Sequence, residues 1–189
     1  PFVYIMMNKP DGVISATEDK EHKTVIDLLG NNYRTYSLFP VGRLDIDTEG
    51  LLILTNDGIL THNLLAPNKH VDKKYYVELR DPVTEEAVKK LELGIELEGD
   101  FVTKNAKVEV IENSKEPINK KTGERNPSKA YITISEGKYH QVKKMIKVLG
   151  NEVIYLKRIS MGGVMLDPQL SAGSCRELTS DEVTALKKI

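Results

Sequence analysis

Short apolar runs alternate with turn-forming residues along this chain, a pattern typical of many short strands joined by tight turns. Runs of apolar or alternating character predict strands over residues 2–7, 51–55, 74–79, 108–111, 130–134, 153–158 and 164–166. The sequences Pro10-Asp11-Gly12 and Gly162-Gly163 are turn signals that close or join these runs. Residues 108–111 and 130–134 are predicted to pair as a hairpin.

Other segments carry helical signals. They predict helices over residues 22–29, 59–65, 85–93, 139–149 and 180–189. The clearest is 139–149, where Val142, Met145, Ile146 and Leu149 follow the i, i+3, i+4, i+7 spacing of one buried helix face. Strands outnumber helices and most connections are short. The pattern therefore predicts an α+β fold, with a largely antiparallel mixed sheet flanked by helices.

Composition narrows the class of protein. Hydrophobic residues make up 40% of the 189 residues, which is enough to build a buried core. No apolar run approaches the roughly 18 residues of a membrane span. Lys9 and Asp11 follow the first short apolar stretch at once, which argues against a secretory signal there. The single cysteine, Cys175, excludes an internal disulfide and an all-cysteine metal site. A cytoplasmic location is the expectation.

The charge is balanced overall but unevenly distributed. The chain has 27 basic and 28 acidic residues, for a net charge of −1. Residues 138–158 hold six basic side chains against Glu152 alone, whereas residues 85–100 hold six acidic side chains against two lysines. Such polarity favours a polyanion on one side of the molecule, and ordinary solvated charge explains it equally well.

The densest group of carboxylates lies in Gly42-Arg43-Leu44-Asp45-Ile46-Asp47-Thr48-Glu49-Gly50. Asp45, Asp47 and Glu49 match the first ligand positions of an EF-hand calcium loop, but position 12 is Asn56 instead of the bidentate glutamate. A glycosidase-like carboxylate pair is a second interpretation. A turn in which these acids accept backbone N–H groups is a third. The residues alone argue against the calcium loop, because Pro40 and Gly42 break any entering helix and residues 51–55 predict a strand. They leave the other two interpretations open, and the four histidines show no metal-ligand spacing.

Five short motifs occur in order along nearly the whole chain. They are Asn8-Lys9-Pro10-Asp11-Gly12-Val13, then Gly42-Arg43-Leu44-Asp45 through Leu52, Lys73-Lys74-Tyr75, Glu136-Gly137-Lys138-Tyr139-His140-Gln141-Val142-Lys143-Lys144-Met145, and Leu156-Lys157-Arg158 through Leu166. Together they resemble the motifs of the RNA pseudouridine synthases. The form His140-Gln141-Val142-Lys143 resembles the RsuA type, which acts on small-subunit (16S) ribosomal RNA. Members acting on large-subunit rRNA share the Gly-Arg-Leu-Asp motif, so that alternative stays open.

The resemblance implies a pseudouridine synthase fold with a catalytic cleft across the sheet. It also implies an isomerase that needs no cofactor and no metal. Asp45 is then the nucleophile at a flipped-out uridine, Lys143 the cation that keeps it ionised, and Tyr75 an aromatic group stacked on the uracil. Without the resemblance, Lys143 reads as part of a solvated helix face and Tyr75 as a half-buried strand residue.

The resemblance also implies a set of RNA-binding side chains. The set comprises Arg43, Lys9, Lys73, Lys74, Lys138, His140, Gln141, Lys144 and Arg158. The implied partner is ribosomal RNA or an assembling small ribosomal subunit, bound by a monomer with no membrane and no nucleotide cofactor. A non-catalytic RNA-binding module is the other functional class compatible with the basic patches.

Two features depart from the pattern of the RsuA type. Residues 1–189 are predicted to form the catalytic domain, and the small S4-like RNA-binding domain expected upstream of it is not among these residues. Residues 113–129 form a longer loop than expected, with five basic and two acidic side chains. This loop is predicted to be exposed, mobile and in contact with RNA phosphates.

Overall fold

The computed structural model describes the whole chain, Pro1–Ile189. The strands are β1 Tyr4–Lys9, β2 Phe39–Pro40, β3 Glu49–Thr55, β4 Lys73–Leu79, β5 Glu96–Leu97, β6 Phe101–Val102, β7 Lys107–Glu112, β8 Ser128–Ile134, β9 Val153–Met161, β10 Val164–Met165 and β11 Cys175–Glu177. The α-helices are α1 Gly58–Leu65, α2 Glu85–Leu93, α3 Gln141–Val148 and α4 Ser180–Lys187. Short 3-10 helices span Asn31–Tyr36 and Pro67–Lys69.

The chain divides into two compact units. Unit 1 comprises Pro1–Asp72 and Lys157–Ile189, and unit 2 comprises Lys73–Leu156. Unit 1 is thus built from both ends of the chain, and unit 2 is one continuous segment.

In unit 1, β1 pairs antiparallel with β3 on one side and with β11 on the other. Strand β3 also pairs with β9, in parallel, through Glu49–Lys157 and Gly50–Arg158. Six of the seven β3 residues are buried, because its apolar side chains face packed neighbours on both sides. The core of unit 1 also contains Leu60 and Leu64 of α1 and Leu186 of α4. Each buried apolar side chain of this size contributes about 1.5–3 kcal/mol relative to exposure.

In unit 2, β8 lies between β4 and β7 with antiparallel pairing on both sides. Buried and half-buried residues alternate strictly along most of β4 and along β8, as expected for strands with one face toward a core. Helix α3 buries Val142, Met145 and Ile146, the stripe that the sequence predicted. The α+β class, with a mostly antiparallel mixed sheet and flanking helices, is therefore confirmed.

One predicted helix is wrong. Residues 22–29 form successive turns, with backbone bonds of the i to i+3 kind such as that from the Leu29 N–H to the Ile26 carbonyl at 3.1 Å. The Thr24 N–H donates to the Asp27 carboxylate at 2.8 Å and the Asp27 N–H donates to the Thr24 hydroxyl at 3.3 Å, the pairing of a capping box, so the first turn starts at Thr24 instead of His22. The backbone is extended again at Gly30, with φ −63° and ψ 156°, which leaves too few residues for a helix.

Residues 113–129 contain more local structure than a plain loop. Ile118 and Arg125 form an isolated antiparallel bridge, and the Asn119 N–H donates to the Glu124 carbonyl at 2.9 Å. The Gly123 N–H donates back to the Asn119 carbonyl at 2.7 Å. Most of the segment is exposed, as predicted, while its mobility stays a prediction. No helix in the chain has the length and apolar character needed to cross a membrane.

Candidate active site

The segment that carries Asp45 is fixed by its buried neighbours. Leu44 is buried, and its N–H and carbonyl both bond the hydroxyl of buried Ser15, at 3.1 and 3.2 Å. After Asp45 the chain turns, and the Thr48 N–H donates to the Asp45 carbonyl at 3.0 Å. The Gly12 N–H donates to the Ile46 carbonyl at 2.9 Å. Both sides of Asp45 are thereby tied to the first turn of the chain, and Asp45 itself is half-buried.

The side chain of Lys9 hydrogen-bonds to the backbone of the same turn. Its side chain is fully buried, and its ammonium donates to the carbonyls of Pro10, Ile46 and Thr48 at 2.9, 3.1 and 2.7 Å. Burial lowers the pKa of Lys9 to about 8, against the attraction of nearby carboxylates that include Asp45. At neutral pH the ammonium is still charged, so its three hydrogen bonds hold the backbone of the Asp45 turn in place.

Gly50 ends the acidic segment where two backbones approach closely. Its φ is +105°, and a Cβ built there would lie 2.2 Å from the Arg158 carbonyl oxygen. The Arg158 side chain is buried and donates through Nε to the Leu51 carbonyl at 2.9 Å, while its buried Nη2 has no hydrogen-bond partner. Only glycine fits at position 50, since any side chain would push the parallel strands apart.

This geometry decides among the interpretations of the carboxylate cluster. The EF-hand interpretation is wrong, because strand β3 occupies most of the segment that would form the calcium loop, and β2 stands where a helix should enter that loop. Arg43 and Asp47 are exposed, whereas Asp45 and Glu49 are half-buried. Asp45 is therefore the half-buried carboxylate of the turn itself, and Glu49 is the first residue of β3.

In unit 2, Tyr75 lies in the middle of β4, opposite Ile132 of β8. Its side chain is 9% exposed, so its ring is largely enclosed. Lys73 and Lys74 precede it. The Lys73 ammonium donates to the Glu136 carbonyl at 3.4 Å, and the Lys74 ammonium lies 4.5 Å from the Tyr131 ring centroid.

Glu136 organises the start of α3, a role that the sequence did not reveal. Its carboxylate accepts the Lys104 N–H at 2.8 Å and the side-chain amide of Gln141 at 3.1 Å. The Gln141 amide oxygen accepts the Lys138 N–H at 3.2 Å. These bonds fix the backbone that leads into α3, the helix on which half-buried Lys143 lies two residues after Gln141.

The residue before α3 has an unusual backbone. His140 has φ +52° and ψ +35°, in the left-handed region, so the predicted helix begins at Gln141 instead of Tyr139. The His140 ring stacks on the Tyr139 ring with 3.7 Å between centroids and 18° between planes. The Lys144 ammonium lies 5.2 Å from the centroid of the Tyr139 ring. The Lys138 ammonium lies 4.8 Å from the centroid of the Phe101 ring.

A family model described as RNA pseudouridylate synthase matches residues 3–147, well over half of the chain. The chain belongs to the RNA pseudouridylate synthase family. It is therefore an RNA-modifying isomerase, and the family prediction made from its motifs is confirmed.

Relatives within and near this family cover almost the whole chain. The sequence is 51% identical over 187 residues to an uncharacterized RNA pseudouridine synthase, YtzG, of Bacillus subtilis, covering 99% of this chain and 74% of that protein. It is 38% identical over 184 residues to the ribosomal small subunit pseudouridine synthase A of Escherichia coli K12, covering 97% and 73%.

Solved structures agree with the fold. A crystal structure of a pseudouridylate synthase matches with a TM-score of 0.86 at 36% identity, over 98% of this chain and 74% of that one. An archaeal Nop10–Cbf5 complex matches with a TM-score of 0.58 at 18% identity, over 90% and 51%, and so shares the fold alone.

The structure corrects the predicted RNA-binding set of this synthase in three places. Lys9, Gln141 and Arg158 are 0%, 3% and 3% exposed, and their side chains bond protein atoms. A side chain enclosed in this way has no route to a phosphate, so these three assignments are wrong. The remaining members are at least partly exposed, and their contact with RNA stays a prediction. They are Arg43, Lys73, Lys74, Lys138, His140 and Lys144.

Proposed function

We propose that this synthase isomerises one uridine of small-subunit (16S) ribosomal RNA, with Asp45 as the nucleophile. The substrate is inferred from the 38% identity, over 97% of the chain, to the E. coli enzyme named for the small ribosomal subunit. The proposal for Asp45 rests on one structural observation. A buried lysine, a buried serine and two backbone hydrogen bonds hold the turn that carries the half-buried Asp45.

The chemistry requires such a group. Pseudouridine formation breaks the C1′–N1 bond of uridine and forms a C1′–C5 bond, with no net oxidation and no added water. A carboxylate beside C1′ either attacks that carbon or stabilises the cation that forms there. Fixing the carboxylate before RNA binds lowers the entropic cost of reaching the reactive geometry.

Lys143 and Tyr75 keep the roles that the family motifs suggest for them. Lys143 is proposed to supply the positive charge that a carboxylate needs in a water-poor pocket. Tyr75 is proposed to contact the uracil ring. The partner is ribosomal RNA or an assembling small subunit in the cytoplasm. We also propose that the RNA binds in a cleft across the sheet and that the protein is a monomer.

Release of tritium from C5-tritiated uridine tests both parts of the proposal. Transcripts of small-subunit and large-subunit rRNA are incubated separately with the protein, and released tritium is counted. Release only from the small-subunit RNA is the expected result. Release only from the large-subunit RNA would refute the substrate assignment and leave the chemistry intact.

The matched variants Asp45→Asn and Asp47→Asn test the nucleophile. Both remove one charge from the same turn, but only the first removes the proposed attacking oxygen. We expect Asp45→Asn to abolish tritium release and Asp47→Asn to lower it less than about tenfold. Both should bind RNA with nearly native affinity. Substantial turnover by Asp45→Asn would show that another group attacks.

A further inference from the structure

Tyr139 is an exposed aromatic residue without a role in the proposed chemistry. Its side chain is 73% exposed even though His140 and Lys144 contact its ring. Single exposed aromatic rings are common on protein surfaces, so exposure alone does not mark a ligand site. Two further observations around Tyr139 point to one.

The first indication is ring stacking. The Tyr139 and His140 rings are already stacked, at 3.7 Å and 18°. The positive φ of His140 places these successive side chains face to face, a backbone conformation that is uncommon outside glycine. A flat aromatic ligand extends such a stack with little loss of side-chain entropy, because the rings are held in position before it binds.

The second indication is charge. Residues 137–151 contain Lys138, Lys143, Lys144 and Lys147 and no acidic residue. The Lys144 ammonium lies over the Tyr139 ring, 5.2 Å from its centroid, on a long flexible side chain that can turn toward a phosphate attached to a stacked ligand. Aromatic faces next to cations are the combination that binds single-stranded nucleic acid, since bases stack while phosphates pair with lysine.

We propose that the Tyr139–His140 stack is a binding platform for one unpaired nucleobase of the RNA substrate. The nucleobase stacks on an outer face of the ring pair, and Lys144 contacts the adjoining phosphate. This inference rests on the RNA substrate of the proposed function and adds a specific subsite to it. Because every base has an aromatic face, the platform contributes affinity with little sequence preference.

A short oligouridylate carrying one central 2-aminopurine tests the platform by binding alone. Anisotropy of a terminal dye gives the affinity, and quenching of 2-aminopurine reports base stacking. We expect Tyr139→Leu to weaken binding about five- to tenfold and to reduce quenching. Tyr139→Phe, which keeps the ring, should behave as the native protein. Phe2→Leu removes an aromatic ring that is 61% exposed elsewhere and should change nothing.

The salt dependence separates stacking from charge. Tyr139→Leu should leave the slope of log affinity against log salt unchanged, whereas Lys144→Ala should flatten it by about 0.7, the value for one phosphate on a single strand. Equal affinity and quenching for Tyr139→Leu and the native protein would overturn the proposal. So would a loss in Tyr139→Phe equal to that in Tyr139→Leu, which would assign the effect to the hydroxyl. None of these readouts needs turnover, so failure of the Asp45 mechanism would leave the test valid.

Discussion

Replacing Lys9 by methionine isolates the contribution of its buried ammonium, since methionine fills a similar unbranched volume. The substitution removes the donor that bonds the carbonyls of Pro10, Ile46 and Thr48. The bond to Thr48 is buried, and a buried acceptor left without a donor costs about 1–3 kcal/mol. The other two bonds are only partly buried, so water can replace the donor there. Methionine also removes the cost of burying a charge, which offsets part of this loss, so we expect a net stability loss of less than about 3 kcal/mol at neutral pH.

The same variant has a pH signature. Burial lowers the Lys9 pKa from 10.5 to about 8, so between these values the unfolded chain binds a proton that the folded chain has released. Native stability then rises with pH relative to the methionine variant, by up to about 3 kcal/mol across that window. Below pH 8 both states carry the proton and the difference between the two proteins is constant.

Urea unfolding at neutral pH and again above pH 8, together with single-turnover tritium release, measures these effects. The turnover rate should fall about tenfold or more, since the turn that holds Asp45 loses the hydrogen bonds of Lys9. Lys20→Met, at an exposed lysine of the same unit, is the control and should match the native protein. Equal unfolding midpoints for Lys9→Met and the native protein at both pH values would refute the assigned role of Lys9.

Three further predictions concern other parts of the structure. Gly50→Ala should destabilise the protein by more than about 3 kcal/mol or prevent its folding, because a Cβ there meets the Arg158 carbonyl; a native-like melting temperature would contradict this. Glu136→Ala should slow single-turnover isomerisation while circular dichroism stays native, because the Gln141 amide loses its acceptor ahead of α3; an unchanged rate would show that the α3 N-terminus holds without it. Replacing residues 115–125 by a tight turn should weaken RNA binding at low salt and leave saturated single-turnover rates unchanged; equal affinity across a salt titration would make the loop a bystander.

Sequence patterns predicted most of the elements because each had a strong local cause. The apolar stripe of α3, the alternation along β8 and the continuous apolar run of β3 all follow from periodicity. The error at residues 22–29 arose because Thr24 caps the first turn and Gly30 is already extended, so the segment between them is too short for a helix. Strands β2, β5, β6 and β11 were not predicted, because two or three residues are too few for periodicity to detect. The Gly162-Gly163 turn signal located β10, and Gly99-Asp100 between β5 and β6 is a similar signal that could have located that hairpin.

The candidate site was predictable only in part. The motifs predicted catalytic roles for Asp45, Tyr75 and Lys143, which stay predictions, and they did not distinguish exposed residues from residues that build the scaffold. Lysine and arginine are rarely buried without partners, so exposure was the natural expectation for Lys9 and Arg158. Their burial depends on carbonyl groups that converge only in three dimensions.

The composition of unit 1 from both chain ends has a consequence for how the protein is made. Strand β1, with buried Ile5, Met6 and Met7, pairs with β3 and also with β11, so its second neighbour leaves the ribosome about 170 residues later. Unit 2 lies within Lys73–Leu156 and has all its strands available earlier. During synthesis this apolar edge of β1 therefore stays uncovered until β11 has been made. A nascent chain stalled before β11 should depend on chaperones, because an uncovered apolar strand edge pairs readily with other chains.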